Sequence, residues 1–308
     1  MFDDFATFDL TVTGDDETVG IHGVRGGDGP PVLLLHGYPQ THALWHRIGP
    51  ELARTHTVVC PDLRGYGGSG RPAEREDHAG YSFRAMAADQ VAVMGELGFD
   101  EFAVIGHDRG ARVTHRMALD HPSVVTRAGV LDIMPTEYVY SHVDRRLATA
   151  YYHWFFYLQP APVPENLIAG DPIGYLHTLL GGWGGAGLDI HPEEARKDYE
   201  RAFADPDVRH AMLEDYRAAV SVDLGLDAES ARAGERVSCP LLVLWGGAGV
   251  VGGGEDDPLD VWRTYAADLG LVRGRALDGA GHFLVDERPD ETLEEIRRFL
   301  DAHPLSDS

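Results

Sequence analysis

A short apolar run, Ala103-Val104-Ile105, leads into Gly106-x-Asp108-x-Gly110 and then into a helical pattern. The run predicts a buried strand, so the whole stretch predicts a strand, a sharp turn and a helix with a carboxylate at the turn. A side chain at either glycine would crowd the neighbouring strand or helix. On this motif alone, an exposed nucleophile and an ordinary helix-capping aspartate are equally good interpretations.

Two distant segments favour the nucleophile. Residues 32–35 form an apolar run that ends in His-Gly-Tyr-Pro, a loop that predicts an oxyanion-hole donor at the backbone N–H of Tyr38, with the second donor at Arg109. Near the C-terminus, Gly281-His282-Phe283 follows an apolar strand and precedes an amphipathic helix. His282 therefore occupies the last place in the order nucleophile, acid, histidine, and it is the candidate base.

Two segments of the chain contain candidates for the acid that orients the histidine. Asp132 ends the apolar run that follows the predicted helix after Asp108, whereas Asp256 and Asp257 follow the later strand 241–245. The second place is the more usual one in folds of this type. We favour Asp132, because the glycine-rich loop 246–254 would hold Asp256 or Asp257 poorly.

Five segments together resemble the fluoroacetate (haloacetate) dehalogenases of the α/β-hydrolase fold. They are His-Gly-Tyr-Pro-Gln (36–40), Asp-Leu-Arg-Gly-Tyr-Gly (62–67), His-Asp-Arg-Gly-Ala-Arg (107–112), Leu-Asp-Ile-Met-Pro-Thr (131–136) and Gly-His-Phe (281–283). The resemblance covers nearly the whole chain. It implies that Asp108 is the nucleophile, His282 the base and Asp132 the acid, in agreement with the choice made from the residues.

The resemblance also implies two binding sites. Arg109 and Arg112 match the arginines that bind the substrate carboxylate, and two planar guanidiniums suit that task. His153, Trp154 and Tyr216 match the residues that bind the halide, and they would offer an imidazole N–H, an indole N–H and a phenol O–H to a departing fluoride.

Apolar strands alternate with helical stretches over most of the chain, as in residues 82–97. This alternation predicts an α/β fold with a mostly parallel sheet covered by helices on both faces. Apolar runs around Thr18 and Gly20 predict antiparallel strands at its start. Aromatic and helical sequence then predicts an inserted cap domain over residues 137–226, between core segments 1–136 and 227–308. Trp183 of this cap is a candidate for the pocket lining.

Composition limits the partners. The net charge is −24, from 50 acidic residues against 26 basic ones, so the chain should repel nucleic acid and anionic membranes. The acidity resembles that of proteins from salt-loving microbes, in which salt screens the repulsion between carboxylates. The N-terminus lacks the features of a signal peptide, and we expect a cytoplasmic protein. Cys60 and Cys239 lie beside apolar runs, and we expect neither a disulfide nor a metal site.

The sequence therefore predicts hydrolysis of 2-haloacids to 2-hydroxy acids through an aspartyl ester, without a cofactor. The substrate would be a small anionic 2-haloacid, and the family resemblance also implies a homodimer. The alternative is an epoxide hydrolase that uses the same aspartate and histidine with a lid tyrosine, such as Tyr216, as the acid. A haloalkane dehalogenase typically has tryptophan where this chain has Arg109, and a serine esterase would need a Gly-x-Ser-x-Gly motif that the sequence lacks.

Overall fold

An eight-stranded sheet runs through the computed structural model, which describes residues 1–14, 17–183 and 187–303. The strands are β1 (Ala6–Gly14), β2 (Glu17–Gly26), β3 (Pro31–Leu35), β4 (Thr57–Pro61), β5 (Phe102–His107), β6 (Val125–Leu131), β7 (Leu241–Gly246) and β8 (Val272–Leu277). Their order in the sheet is β1-β2-β4-β3-β5-β6-β7-β8. The strand β2 pairs with β1 and β4 in antiparallel fashion, and all the other pairs are parallel. The predicted antiparallel start and parallel centre are both confirmed.

The helices follow the strands as the alternating pattern predicts. They are α1 (Ile48–Leu52), α2 (Phe83–Glu96), α3 (Arg109–Asp120), α4 (Thr136–Ser141), α5 (Arg145–Ala150), α6 (Tyr152–Tyr157), α7 (Val163–Ile168), α8 (Pro172–Gly182), α9 (Glu193–Ala204), α10 (Pro206–Ala218), α11 (Leu224–Ala233), α12 (Pro258–Arg263), α13 (Leu284–Glu287) and α14 (Pro289–Ala302). A π-helical turn, Ala219–Asp223, joins α10 to α11. None of the helices in the described ranges is long and apolar enough to cross a membrane.

The central strands are apolar on both faces because helices cover the sheet on both sides. In β3, Val32 and Leu34 belong to one buried cluster, whereas Leu33 and Leu35 belong to the other. Successive side chains of a strand point to opposite faces, so this alternation places a hydrophobic core on each side of the sheet. The two cores fix the positions of β3, β5 and β6, whose carboxyl ends carry the candidate site.

The helices α4 to α11 are inserted between β6 and β7 and run from Thr136 to Ala233. The cap predicted over residues 137–226 falls within this insertion, and its division from the core as a separate domain stays a prediction. The break between α5 and α6 at Tyr151 brings an aromatic cluster to the carboxyl edge of the sheet.

Candidate active site

The turn between β5 and α3 places Asp108 at the carboxyl edge of the sheet. Its backbone has φ 49° and ψ −115°, a region that residues other than glycine rarely adopt. The turn is tight enough to require its glycines: a Cβ on Gly106 would lie 2.2 Å from the oxygen of Gly110, and a Cβ on Gly110 would lie 2.4 Å from the oxygen of His36. The strained turn presents the carboxylate to the space above the sheet.

The two oxygens of Asp108 have different surroundings. Oδ1 accepts a hydrogen bond from the backbone N–H of Tyr38 at 2.9 Å, and Oδ2 lies 3.8 Å from Nε2 of His282. Burial raises the pKa of Asp108, but the charges of His282, His107 and the two arginines outweigh burial, so the pKa is lower than usual. The carboxylate is therefore ionised at neutral pH, as a nucleophile must be.

The imidazole of His282 is fixed by Asp132. Nδ1 of His282 donates to Oδ2 of Asp132 at 2.7 Å, and the backbone N–H of Gly246 donates to Oδ1 at 2.9 Å. The competing acids lie elsewhere, since Asp256 accepts a hydrogen bond from the Tyr138 hydroxyl and Asp257 caps α12. Of the two places that the sequence offered, Asp132 is the one in contact with the histidine.

The pKa of His282 is higher than usual. Burial lowers this pKa, but the hydrogen bond and charge of Asp132, together with the charge of Asp108, raise it by more than burial lowers it. His107 fixes the same loop, because its Nε2 donates to the carbonyl of His282 at 2.8 Å. Burial lowers the pKa of His107 to about 4, so it is neutral and structural at pH 7. Glu287 accepts the backbone N–H groups of Gly281 and Phe283 and so braces the loop on both sides of the histidine.

His36 has a structural role beside the predicted oxyanion loop. Its Nδ1 donates to the carbonyl of Gly37 at 3.0 Å, and its Nε2 accepts from the backbone N–H of Leu63 at 3.0 Å. Both ring nitrogens are therefore used within the fold. The imidazole ties the loop that carries the Tyr38 N–H to the segment that follows β4.

A small cavity, here called the chamber, lies between the sheet edge and the inserted helices. Its volume is about 10 Å³, which is room for about one water molecule. The described walls are Asp108, Asp132, Tyr151, His153, Trp154, Trp183, Val250 and His282. The chamber therefore unites the predicted nucleophile, base and acid with two of the predicted halide ligands and with Trp183.

The third predicted halide ligand, Tyr216, lies just behind these walls. Its ring is 5.8 Å from that of His153 and 6.2 Å from that of Trp154. Nδ1 of His153 is buried without a hydrogen-bond partner, and burial lowers the pKa of this imidazole to about 3. His153 is therefore neutral, with a hydrogen-bonding nitrogen that the described protein leaves unused.

The two predicted carboxylate-binding arginines, Arg109 and Arg112, differ in whether a carboxylate of the protein pairs with them. Nε of Arg109 donates to Oδ2 of Asp215 at 2.8 Å, and Nη2 donates to Oδ1 and to the backbone oxygen of the same residue. The guanidinium also packs against Tyr216 and Phe83 at 4.2 and 4.5 Å. Its charge is therefore neutralised within the protein, and only Nη1 has no partner.

Arg112 has no carboxylate partner among the ion pairs of the described ranges. Its Nη1 donates to the Met134 carbonyl at 3.2 Å and to the Thr136 hydroxyl at 2.9 Å, while Nε is buried without a partner. The guanidinium lies 4.7 Å from the ring of Trp154, a wall of the chamber. Burial and the charge of Arg109 lower its pKa. A buried and uncompensated cation of this kind favours an anion beside it.

Sequence reasoning missed two carboxylates that organise the site. Asp215 is fully buried and accepts a third side-chain hydrogen bond, from Tyr66 at 2.7 Å, and Glu287 braces the His282 loop. Asp215 lies 106 residues from Arg109. Its position directly before the predicted halide ligand Tyr216 was the one local signal that it lies near the site.

Residues 30–289 match the alpha/beta hydrolase fold family. The chain belongs to this family. The hydrolase is 46% identical to a fluoroacetate dehalogenase from Burkholderia sp. over 92% of this chain and 90% of that protein. It is 30% identical to a soluble epoxide hydrolase from Corynebacterium sp. (strain C12) over 91% of this chain and 93% of that protein. A solved structure assigned to the alpha/beta hydrolases, from Nostoc sp. PCC 7120, superposes with a TM-score of 0.92 at 48% identity and covers 97% of this chain and 99% of that one.

Proposed function

We propose that the protein is a haloacetate dehalogenase that hydrolyses the carbon–halogen bond of fluoroacetate-type 2-haloacids to give 2-hydroxy acids. The observation that carries the proposal is an ionised Asp108 beside the His282–Asp132 pair, with Arg112, which makes no ion pair in the described ranges, one helical turn away. The greater similarity to the Burkholderia dehalogenase than to the Corynebacterium epoxide hydrolase supports it.

The first step is displacement of the halide. Oδ2 of Asp108 attacks the halogen-bearing carbon in line with the carbon–halogen bond, and the bonding pair leaves with the halide. A carbon–oxygen ester bond to Asp108 replaces the carbon–halogen bond. His153, Trp154 and Tyr216 are the proposed halide ligands, since compact N–H and O–H donors must replace the water that a small anion loses on leaving its carbon.

The second step is hydrolysis of the ester. A water molecule between His282 and Asp108 attacks the carboxyl carbon of Asp108, and its proton passes to Nε2 of His282. In this structure Nε2 lies 3.8 Å from Oδ2, so the base faces the carboxyl group that the water attacks. The backbone N–H groups of Tyr38 and Arg109 are the proposed oxyanion donors, and Asp132 stabilises the imidazolium. The bond between the Asp108 carboxyl carbon and the ester oxygen then breaks, the leaving oxygen takes the proton held on Nε2 of His282, and the hydroxy acid departs.

The arginines divide the task of holding the substrate carboxylate. Arg112 supplies the charge, because it makes no ion pair with a carboxylate in the described ranges, and its Nε is an available donor. Arg109 contributes Nη1 and otherwise serves as half of an internal ion pair with Asp215. The two arginines expected to bind the carboxylate would therefore contribute unequally, since one edge of the Arg109 guanidinium is already occupied by Asp215.

Several wider expectations belong to the same proposal. The inserted helices act as a cap domain that closes the chamber, and the enzyme works in the cytoplasm as a homodimer without a cofactor. The acidic surface, with a net charge of −24, favours activity in salt, because salt screens the repulsion of an anionic substrate.

The test is halide release from fluoroacetate and chloroacetate, followed with ion-selective electrodes at low and high salt, with glycolate measured by chromatography. The proposal predicts equal amounts of halide and glycolate from the wild-type protein and neither from Asp108→Asn. Styrene oxide is the parallel substrate for the epoxide hydrolase alternative. Diol formation from it, without halide release from either haloacetate, would overturn the proposal.

A further inference from the structure

A second and much larger cavity lies next to the chamber. This cavity, here called the vestibule, has a volume of about 340 Å³ and lies between α4–α5 on one side and the loop after β7 on the other. Its apolar lining includes Met134, Val139, Val143 and Leu147. The chamber, in contrast, has room for about one water molecule between its described walls, and a haloacid needs more space than that.

Tyr151 and Val250 line both cavities and so form the wall between them. The ring of Tyr151 stacks on the indole of Trp154, with ring centres 5.1 Å apart and an interplanar angle of 9°. Its edge meets the imidazole of His153 at 5.9 Å. The tyrosine ring therefore closes the chamber at the point where the proposed halide ligands meet the vestibule.

Contacts within the fold hold four of the other described walls in place: Asp108, Asp132, His153 and His282. Asp108 and Asp132 are held by backbone N–H groups, and the carbonyl of His282 is held by His107. Behind His153 lies the fully buried Tyr216. Among the walls that the structure describes, the one formed by Tyr151 and Val250 therefore has the vestibule as open space behind it.

The backbone at Tyr151 is suited to movement. The residue sits at the break between α5 and α6, with φ −102° and ψ 33°, outside the helical region. The helix α5 has no buried residue. The Tyr138 hydroxyl bonds Asp256 and Arg146 bonds the carbonyl of Val250, which are two exposed links across the vestibule. Segments with few buried contacts and exposed hydrogen bonds are those that open at low cost.

We propose, on the basis of the proposed function, that Tyr151 determines substrate size. Its ring restricts the enzyme to haloacetates and excludes 2-haloacids that carry an alkyl group on the halogen-bearing carbon. A small outward shift of the ring makes room for a two-carbon acid. An added alkyl group needs the space that the ring still occupies. If the ring is removed, the chamber and the vestibule become one cavity, and the alkyl group can bury against the apolar vestibule lining at a gain of about fourfold per methylene.

The experiment compares kcat/KM for 2-chlorobutyrate and chloroacetate in the wild-type protein, Tyr151→Ala, Tyr151→Phe and Val143→Ala. The ratio of the two values is expected to rise at least tenfold in Tyr151→Ala. It should stay near the wild-type value in Tyr151→Phe, which keeps the ring, and in Val143→Ala, which enlarges the vestibule without opening the wall. A change that only disturbs Trp154 would lower both rates together and leave the ratio unaltered.

An unchanged ratio in Tyr151→Ala, or wild-type turnover of 2-chlorobutyrate equal to that of chloroacetate, would overturn the inference. If Tyr151→Ala fails to fold, Val250→Ala opens the same wall from the opposite side and carries the same expectation. Failure of the proposed function is distinguishable, because the wild-type protein would then release no chloride from chloroacetate.

Discussion

Replacing Arg112 by leucine separates substrate binding from folding. Arg112 makes no ion pair within the part of the chain that the structure describes, so in Arg112→Leu an anionic substrate would lose a buried charge partner worth about 3 kcal/mol. That loss corresponds to about a hundredfold fall in kcat/KM for chloroacetate. The neutral chloroacetamide should lose only a few-fold. Initial rates of chloride release from both compounds measure the difference.

Replacing Arg109 by leucine should lower the stability of the protein, whereas replacing Arg112 should not. The change leaves Asp215 buried without its partner, which costs about 3–5 kcal/mol and should lower Tm by roughly 5–15 °C. Arg112→Leu removes a cation whose pKa burial already depresses, so its Tm should stay near the wild-type value. The reasoning is refuted if Arg112→Leu impairs chloroacetate and chloroacetamide equally, or if it destabilises the protein as much as Arg109→Leu.

Three other predictions follow from the same geometry. His282→Gln should leave the first step intact and block the second, so intact-protein mass spectrometry after addition of chloroacetate should show a stable carboxymethyl adduct, and an unmodified protein would contradict this. His282 must be neutral to act as a base, and its pKa is raised by Asp132 and Asp108, so activity should increase as the pH rises through this elevated pKa. Asp132→Asn removes the partner that raises the pKa, so the remaining activity should reach its plateau at lower pH. An unmoved pH profile would argue against the His282–Asp132 pair. His153→Leu should lower kcat for fluoroacetate about 10- to 100-fold, the value of a hydrogen bond to an ion, and chloroacetate less, because chloride needs weaker donors; equal losses would remove His153 from the halide site.

The strands and the order of the site residues were predictable because they depend on local patterns. The strand β5 reads as a continuous apolar run since it is buried on both faces, and the helix α2 begins after Ser82, whose hydroxyl accepts from the backbone of Ala85. Asp132 could be preferred to Asp256 because it directly ends an apolar run, whereas a long glycine-rich loop precedes Asp256. The strand or helix that carries such a residue determines where the residue lies in the fold.

The contacts that modify the site depend on tertiary packing instead. The Arg109–Asp215 pair joins residues 106 positions apart, and no periodicity in either segment marks them as partners. Likewise, the wall formed by Tyr151 and Val250 exists only because two loops meet at the edge of the sheet. The sequence therefore predicted many of the residues that meet at the site, whereas the difference between the two arginines depends on Asp215, which no local pattern connects to Arg109.

A single turnover in ¹⁸O-labelled water tests the central claim, the ester of Asp108, most directly. With enzyme in excess over chloroacetate, the hydroxyl oxygen of the first glycolate should come from Asp108 and be unlabelled, because water attacks the carboxyl carbon of the aspartate. Mass spectrometry of the peptide that contains Asp108 should then show one ¹⁸O atom. Labelled glycolate with an unlabelled peptide would mean that water attacks the substrate carbon directly, and it would contradict the account.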